Sequence, residues 1–166
     1  IAAREIWTAK AHTRNWELGP SDVVLAFAPI AGAAGGTPAY VTAPVAGAKI
    51  ALEHEYKGEE ILQLIEKERV TVLALVPTQL ARLVQLPLEK YDLSSIRGWG
   101  SAADAMPQEH IDIMRRHGAL LKVFGKTLLK PVFAEAYGMV ELAGICMLKV
   151  VMPGLNFKKG CVGLPV

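Results

Sequence analysis

Apolar and polar positions along the 166-residue chain follow two alternating rhythms. Short unbroken apolar runs of strand length are separated by stretches whose apolar residues recur every three or four positions, as on one face of a helix. Ile1, Ile6, Ala9, Thr13 and Trp16 keep helical spacing, so residues 1–18 read as an amphipathic helix ended by Gly19-Pro20. The run Val23-Val24-Leu25-Ala26-Phe27-Ala28 reads as a buried strand stopped by Pro29. Residues 37–46 read as a buried helix, with Thr37-Pro38 as N-cap and first helical position and Gly47 as its stop. Lys49-Ile50-Ala51-Leu52 begins a second strand.

In residues 59–69 the apolar stripe Ile61, Leu62, Leu64 and Ile65 opposes Glu59, Glu60, Glu66, Lys67, Glu68 and Arg69, the pattern of a surface helix with a solvated face. Residues 70–76 are rich in β-branched side chains and predict a strand. Pro77-Thr78 ends it, with Thr78 placed to cap a helix over 79–84, and residues 87–92 form a loop. Ile96-Arg97-Gly98-Trp99 is a short strand with Gly100-Ser101-Ala102-Ala103 as the turn at its carboxyl end. The following helix has Asp104 near its start and Pro107 in its first turn, and faces Ile111 and Met114 inward before Arg115-Arg116 and Gly118. Residues 119–123, Pro131-Val132-Phe133 and residues 145–151 are further strands; 153–159 is a loop and 160–165 a closing turn. This alternation predicts an α/β fold: a mostly parallel sheet flanked by helices on both faces.

Residues 23–48 contain no charge, a length that invites a transmembrane reading. Pro29, Pro38, Pro44, Gly32, Gly35, Gly36 and Gly47 interrupt the stretch and exclude it. With 18 basic and 16 acidic residues the net charge is +2, which gives no reason to invoke nucleic acid or an anionic membrane. Hydrophobic residues make up 52% and aromatics only 7%, so the apolar content is mainly Ala, Val, Leu and Ile. That excess predicts the inner part of a larger α/β protein whose neighbours cover some faces. Cys146 and Cys161 lack ligand spacing, no signal peptide is visible, and a reduced, cytosolic compartment is the simplest expectation. His12, His54, His110 and His117 are scattered, and no Ser/His/Asp or Cys/His arrangement stands out. No G-x-G-x-x-G follows a strand, which argues against a dinucleotide fold, and Gly35-Gly36 lacks the lysine and threonine of a phosphate loop.

The densest candidate chemistry is Ala134-Glu135-Ala136-Tyr137-Gly138-Met139-Val140-Glu141, just past the Pro131-Val132-Phe133 strand. In open α/β sheets ligands bind outside the carboxyl ends of strands. Tyr137 offers a face for a base to stack on, Gly138 permits close backbone approach, and Glu141 offers hard oxygens to magnesium. An ordinary strand-to-helix turn with a packed tyrosine fits the same residues. Small side chains at Ser101, Ala102 and Ala103 leave backbone groups free to read an adenine edge, and equally suit a tight turn. Lys126 and Lys130 are expected to be solvated.

The octapeptide resembles the Y-G-x-T-E motif of the adenylate-forming superfamily, which includes acyl- and aryl-CoA synthetases, luciferases and peptide-synthetase adenylation domains. Three further stretches resemble that family's motifs in its order. Residues 70–78, Val-Thr-Val-Leu-Ala-Leu-Val-Pro-Thr, are similar to R-V-T-x-x-x-x-V-P. Residues 91–97 with Gly100-Ser101-Ala102-Ala103 are similar to D-L-S-S-L-R and the adenine loop. Residues 160–165 are similar to G-S-V-G-x-P. The resemblance implies a two-step ligase. A carboxylic acid attacks the α-phosphate of ATP, giving an acyl-adenylate and pyrophosphate, and a thiol, usually coenzyme A, takes the acyl group. It implies that Tyr137 stacks on adenine with Ser101, Ala102, Ala103 and Asp104 around it. Glu135 and Ala136 would lie beside the nucleotide and acyl pocket, Gly138 and Met139 would border the acyl group, and Glu141 would hold Mg2+. The implied partners are a small apolar carboxylic acid, as in fatty acid metabolism, and the rest of a parent enzyme; self-association stays open.

Three departures qualify the likeness. The family's threonine, which bonds the α-phosphate, is Val140 here, with the shape and no hydroxyl. The aromatic or alanine and the histidine expected after Pro29 are Ala31 and Gly32, which with Ala33 and Ala34 permit a roomier apolar pocket. The family's pyrophosphate lysine loop would precede Ile1, and its ribose aspartate and C-terminal domain would follow Val166. The expectation is therefore that residues 1–166 are the central part of the AMP-binding N-terminal domain and do not turn over alone. A peptide-synthetase-type domain loading a carrier protein, and a non-catalytic α/β interaction module, remain the alternatives.

Overall fold

Alternation within the strand β1 (Val23–Ala26) sets the two faces of the sheet. Leu25 packs with Leu73, Leu75, Trp99 and Phe133 on one side, while Val24 and Ala26 pack with Val72, Ala39 and Ala43 on the other. The two-residue period of a strand requires this division. The computed structural model describes residues 10, 17–26, 36–124, 126–139, 144–152, 155, 157 and 160–165.

The remaining strands are β2 (Lys49–Leu52), β3 (Val72–Leu75), β4 (Gly98–Ala102), β5 (Leu121–Val123), β6 (Lys126–Leu129), β7 (Val132–Met139), β8 (Gly144–Val151) and β9 (Leu164–Pro165). Seven of them form one sheet in the order β2-β1-β3-β4-β7-β8-β9. Every pairing from β2 across to β7 is parallel, and β7–β8 and β8–β9 are antiparallel. Helices cover both faces. On one side α1 (Ala43–Ala46) continues a wider π-helical turn over Gly36–Thr42. On the other lie α2 (Gly58–Glu68), α3 (Pro77–Leu83) and α4 (Gln108–Met114). The larger core sits there: Ile61, Leu62 and Ile65 of α2, Leu80 and Leu83 of α3, and Ile111 and Met114 of α4 close over Leu73, Trp99 and Phe133. Each such fully buried aliphatic side chain contributes roughly 1.5–3 kcal/mol.

The expected mostly parallel sheet with helices on both faces is thus the observed one. Gly47, in the left-handed region at φ 72, ends α1 as expected, and residues 145–151 lie within β8. Other local expectations change. The α3 helix begins at Pro77, so Thr78 lies within its first turn; Gln79 Oε1 accepts from Val76 N at 3.2 Å, and Gln79 N donates to the Val76 carbonyl at 3.0 Å. Gly100, Ser101 and Ala102 belong to β4, not to a turn. That strand is paired on both sides, by β3 and β7, so ladder bonds and close neighbours sustain small residues of low strand propensity. The strand within residues 119–123 lies outside the main sheet. This strand, β5, pairs antiparallel with β6, Lys126–Leu129, as an exposed hairpin. Residues 134–139 continue β7, held by β8, where a turn after a short strand was expected. The helix expected at 1–18, apart from Lys10 and residues 17–18, lies outside the described residues, as do residues 27–35 and 140–143. Among the described residues no helix is long and apolar enough to cross a membrane.

Candidate active site

Parallel pairing puts the carboxyl ends of β1–β4 and β7 on one edge of the sheet. Within it, β4 and β7 are in register with Ser101 beside Glu135 and Ala102 beside Ala136. The two strands therefore deliver the turn at 103–106 and Tyr137 side by side. Ser101, Ala102, Ala103 and Asp104 are brought together with Glu135, Ala136, Tyr137, Gly138 and Met139, although the paired residues Ser101 and Glu135 are 34 positions apart along the chain.

Each residue arrives in a definite state. Ser101 is 1% exposed, and its Oγ has no hydrogen-bond partner among the described residues. Ala102 is half-buried, and Ala103, at φ 81, turns the chain off the sheet through a conformation unusual for a residue with a Cβ. Asp104 is exposed and its Oδ1 accepts from Ala105 N at 2.7 Å. The α4 helix starts at Gln108, so Asp104 stiffens the turn rather than capping a helix. On β7, Tyr137 is 48% exposed, and Gly138 and Met139 are exposed beyond it. A bulge separates Tyr137, paired with Met147, from Gly138, paired with Ile145, leaving Cys146 as the extra residue. Such bulges raise the local twist and re-aim the side chains around them. Cys146 Sγ also donates to the Tyr137 carbonyl at 3.5 Å.

The Glu135 carboxylate is engaged by the protein's own groups. Its Oε1 accepts from Met106 N at 3.1 Å and its Oε2 accepts from Lys149 Nζ. Met106 and Lys149 are functional neighbours that the sequence reading passes over. The signal that finds Lys149 is hairpin register, since it stands directly opposite Glu135 across β7 and β8. Val140 and Glu141, and the pocket positions Ala31, Gly32, Ala33 and Ala34, lie outside the described residues. Among the described residues no group of three or more His, Cys, Asp and Glu side chains is arranged to hold a metal ion. Tyr137 stands exposed beside the 103–106 turn, and Glu141, the carboxylate expected to hold magnesium, is outside the described residues.

The sequence profile of the AMP-binding enzyme family matches residues 2–166, and the chain belongs to that family. It is 29% identical to an indoleacetate–CoA ligase of Aromatoleum aromaticum over 169 residues, covering 95% of this chain and 33% of that protein. It is 33% identical to 4-coumarate–CoA ligase 2 of Oryza sativa subsp. japonica over 128 residues, covering 76% of this chain and 21% of the relative. The chain therefore spans between a fifth and a third of these curated relatives. In fold it is similar to apo MatB of Rhodopseudomonas palustris, with TM-score 0.76 and 21% identity over 98% of this chain and 30% of the other. It is equally similar to the o-succinylbenzoate–CoA synthetase MenE of Bacillus subtilis solved with ATP and magnesium, with TM-score 0.76 and 20% identity over 98% of this chain and 31% of that one.

Proposed function

We propose that this chain forms the adenine side of the nucleotide site in a carboxylate–CoA ligase that uses ATP. The observation that carries the reading is the β4–β7 register, which sets Tyr137 next to the 103–106 turn at the ligand-binding edge of the sheet. In this reading the Tyr137 ring stacks on adenine, and Ala102, Ala103 and Asp104 meet its edge. Gly138 and Met139 border the acyl group. Two anions must meet for the carboxylate to attack the α-phosphate, so donors and Mg2+ must neutralise the phosphates, and Glu141 is the residue here that would hold the ion. The names of the relatives, indoleacetate– and 4-coumarate–CoA ligase, support an apolar, aryl-bearing acid as substrate and coenzyme A as acceptor. The reading places the protein in the cytosol and residues 1–166 in the central part of the AMP-binding domain, without turnover of their own.

Calorimetric titration of AMP into the protein tests it. Base stacking is worth about 1–3 kcal/mol, so Tyr137→Ala is expected to weaken binding by about 5- to 150-fold while Tyr137→Phe retains it. Equal affinity of wild type and Tyr137→Ala would remove the stacking role. A non-catalytic module is the second reading, favoured by Val140; absence of AMP binding would support it. Carboxylate-dependent pyrophosphate release by the isolated 166 residues would overturn the expectation that they do not turn over.

A further inference from the structure

We propose that Glu135 is a positioning residue which, together with Lys149, locks the 103–106 turn onto β7 and so sets the gap between that turn and Tyr137. The lock stands on geometry alone; its effect on a nucleotide rests on the reading above.

Both oxygens of the Glu135 carboxylate are engaged by the protein, Oε1 by Met106 N at 3.1 Å and Oε2 by Lys149 Nζ. The side chains of Glu135 and Lys149 are only 14% and 25% exposed, so the pair is weakly screened. The turn it reaches has few other ties. Ala103 leaves the sheet at φ 81, Asp104 bonds only to the next residue's N–H among the described contacts, and Pro107 has no N–H to give. Met106 N is thus the point at which the turn is fastened across to the neighbouring strand. The Met106 side chain anchors the same point from below, buried in the core with Trp99, Phe133 and Ile111. Removal of the carboxylate would leave that amide without its acceptor, an expensive state for a buried donor.

Lys149 explains why an acid is tolerated here. An uncompensated carboxylate next to a site for a nucleotide would repel its phosphates. Paired with Lys149, Glu135 presents a charge-assisted acceptor to the turn and little net charge to the cleft. The register fixes this partnership, since Glu135 faces Ser101 on β4 and Lys149 on β8.

The test compares wild type, Glu135→Ala, Lys149→Met and the double variant Glu135→Gln/Lys149→Met, by amide hydrogen exchange at Met106 and by AMP titration. In Glu135→Ala, Met106 exchange is expected to accelerate about tenfold, with the Leu73 and Phe133 amides unchanged, and AMP affinity to fall about tenfold. The double variant is expected to recover both, because a glutamine Oε1 still accepts from Met106 N and no unpaired ammonium faces it. Lys149→Met alone is expected to weaken AMP binding with little dependence on salt, because the unpaired Glu135 carboxylate is mostly buried and weakly screened. Unchanged Met106 exchange in Glu135→Ala, or a double variant as impaired as that one, would overturn the lock. Should Glu135→Ala not fold, Glu135→Leu/Lys149→Met, which removes the acceptor and the ammonium together, replaces it and is expected to exchange at Met106 about tenfold faster than Glu135→Gln/Lys149→Met; equal exchange in the two would overturn the lock. A wild type that binds no AMP while Met106 follows the expected pattern supports the lock and overturns the nucleotide reading instead.

Discussion

Arg97 holds Asp22 through two parallel bonds, Nε to Oδ1 at 2.7 Å and Nη2 to Oδ2 at 2.9 Å. Thr71 Oγ1 donates to Oδ1 at 2.7 Å, Gly19 N donates to Oδ2 at 2.9 Å, and Arg97 Nη2 also reaches the Glu17 carbonyl at 3.1 Å. Asp22, Thr71 and Arg97 stand just before β1, β3 and β4, so one carboxylate ties the amino ends of three neighbouring parallel strands. It lies at the edge of the sheet opposite Tyr137.

Asp22 is 5% exposed, and burial pushes its carboxyl upward; the bonds from Arg97, Thr71 and Gly19 outweigh that and hold it below its ordinary value. A depressed folded-state value adds stability above the unfolded value of about 3.9, lost as pH falls through the folded one. Arg97→Met, which strands the buried carboxylate, is expected to cost about 3–5 kcal/mol at pH 7 by urea unfolding. The stability gap between wild type and Asp22→Asn is expected to narrow as pH drops below about 4. A gap that stays constant as pH falls well below about 4 would mean that the carboxylate's charge contributes nothing.

Gly118 sits at φ 103, and a Cβ built there would lie 2.2 Å from the Ile96 carbonyl oxygen. That carbonyl also accepts from Ala119 N at 2.8 Å, so the loop cannot move off without losing a bond. Gly118→Ala should therefore lose about 2–4 kcal/mol of stability. Gly160, at φ 82 with nothing among the described residues within 4 Å of an added Cβ, is the control, and Gly160→Ala should lose only about 1–2 kcal/mol from backbone strain. Equal losses in urea melts would show that the Ile96 contact is irrelevant.

Ser101 presents the reverse case. A buried hydroxyl without a partner destabilises the state that buries it, so Ser101→Ala is expected to leave stability unchanged or raise it by about 1 kcal/mol. Thermal melting checks this, and a drop of similar size would reveal an acceptor for the hydroxyl.

Much of this was legible from the chain, and the errors have physical causes. Strand and helix spacing reads well where burial is one-sided, as in α2, because Ile61, Leu62 and Ile65 leave no other face to bury. It fails at β4 and β7, where the ladder with neighbouring strands, not side-chain propensity, keeps Gly100, Ser101, Gly138 and Met139 extended. The proximity of Tyr137 to the Ser101–Asp104 segment follows from sheet order, which the motif order suggested and local pattern alone does not contain. The Glu135–Lys149 pair was invisible because cross-strand partners depend on the bulge at Tyr137 and on hairpin register. The bidentate grip of Arg97 on Asp22 joins residues 75 apart, beyond any local signal.

Val140 offers a gain-of-function test of the phosphate side of the proposed nucleotide site. It occupies the place at which the similar family carries a threonine that bonds the α-phosphate, and valine has that shape without the hydroxyl. A hydrogen bond to a charged group contributes about 1.5–3 kcal/mol. Val140→Thr is therefore expected to tighten AMP binding by about 10- to 150-fold. Adenosine, which has the base and ribose and no phosphate, isolates the cause and should bind both forms equally. An equal gain for adenosine and AMP would assign the effect to packing around the base, and no gain for either would place residue 140 away from the phosphate. If AMP alone gains, the added hydroxyl meets the phosphate, and the weak point of this nucleotide site is a single absent donor.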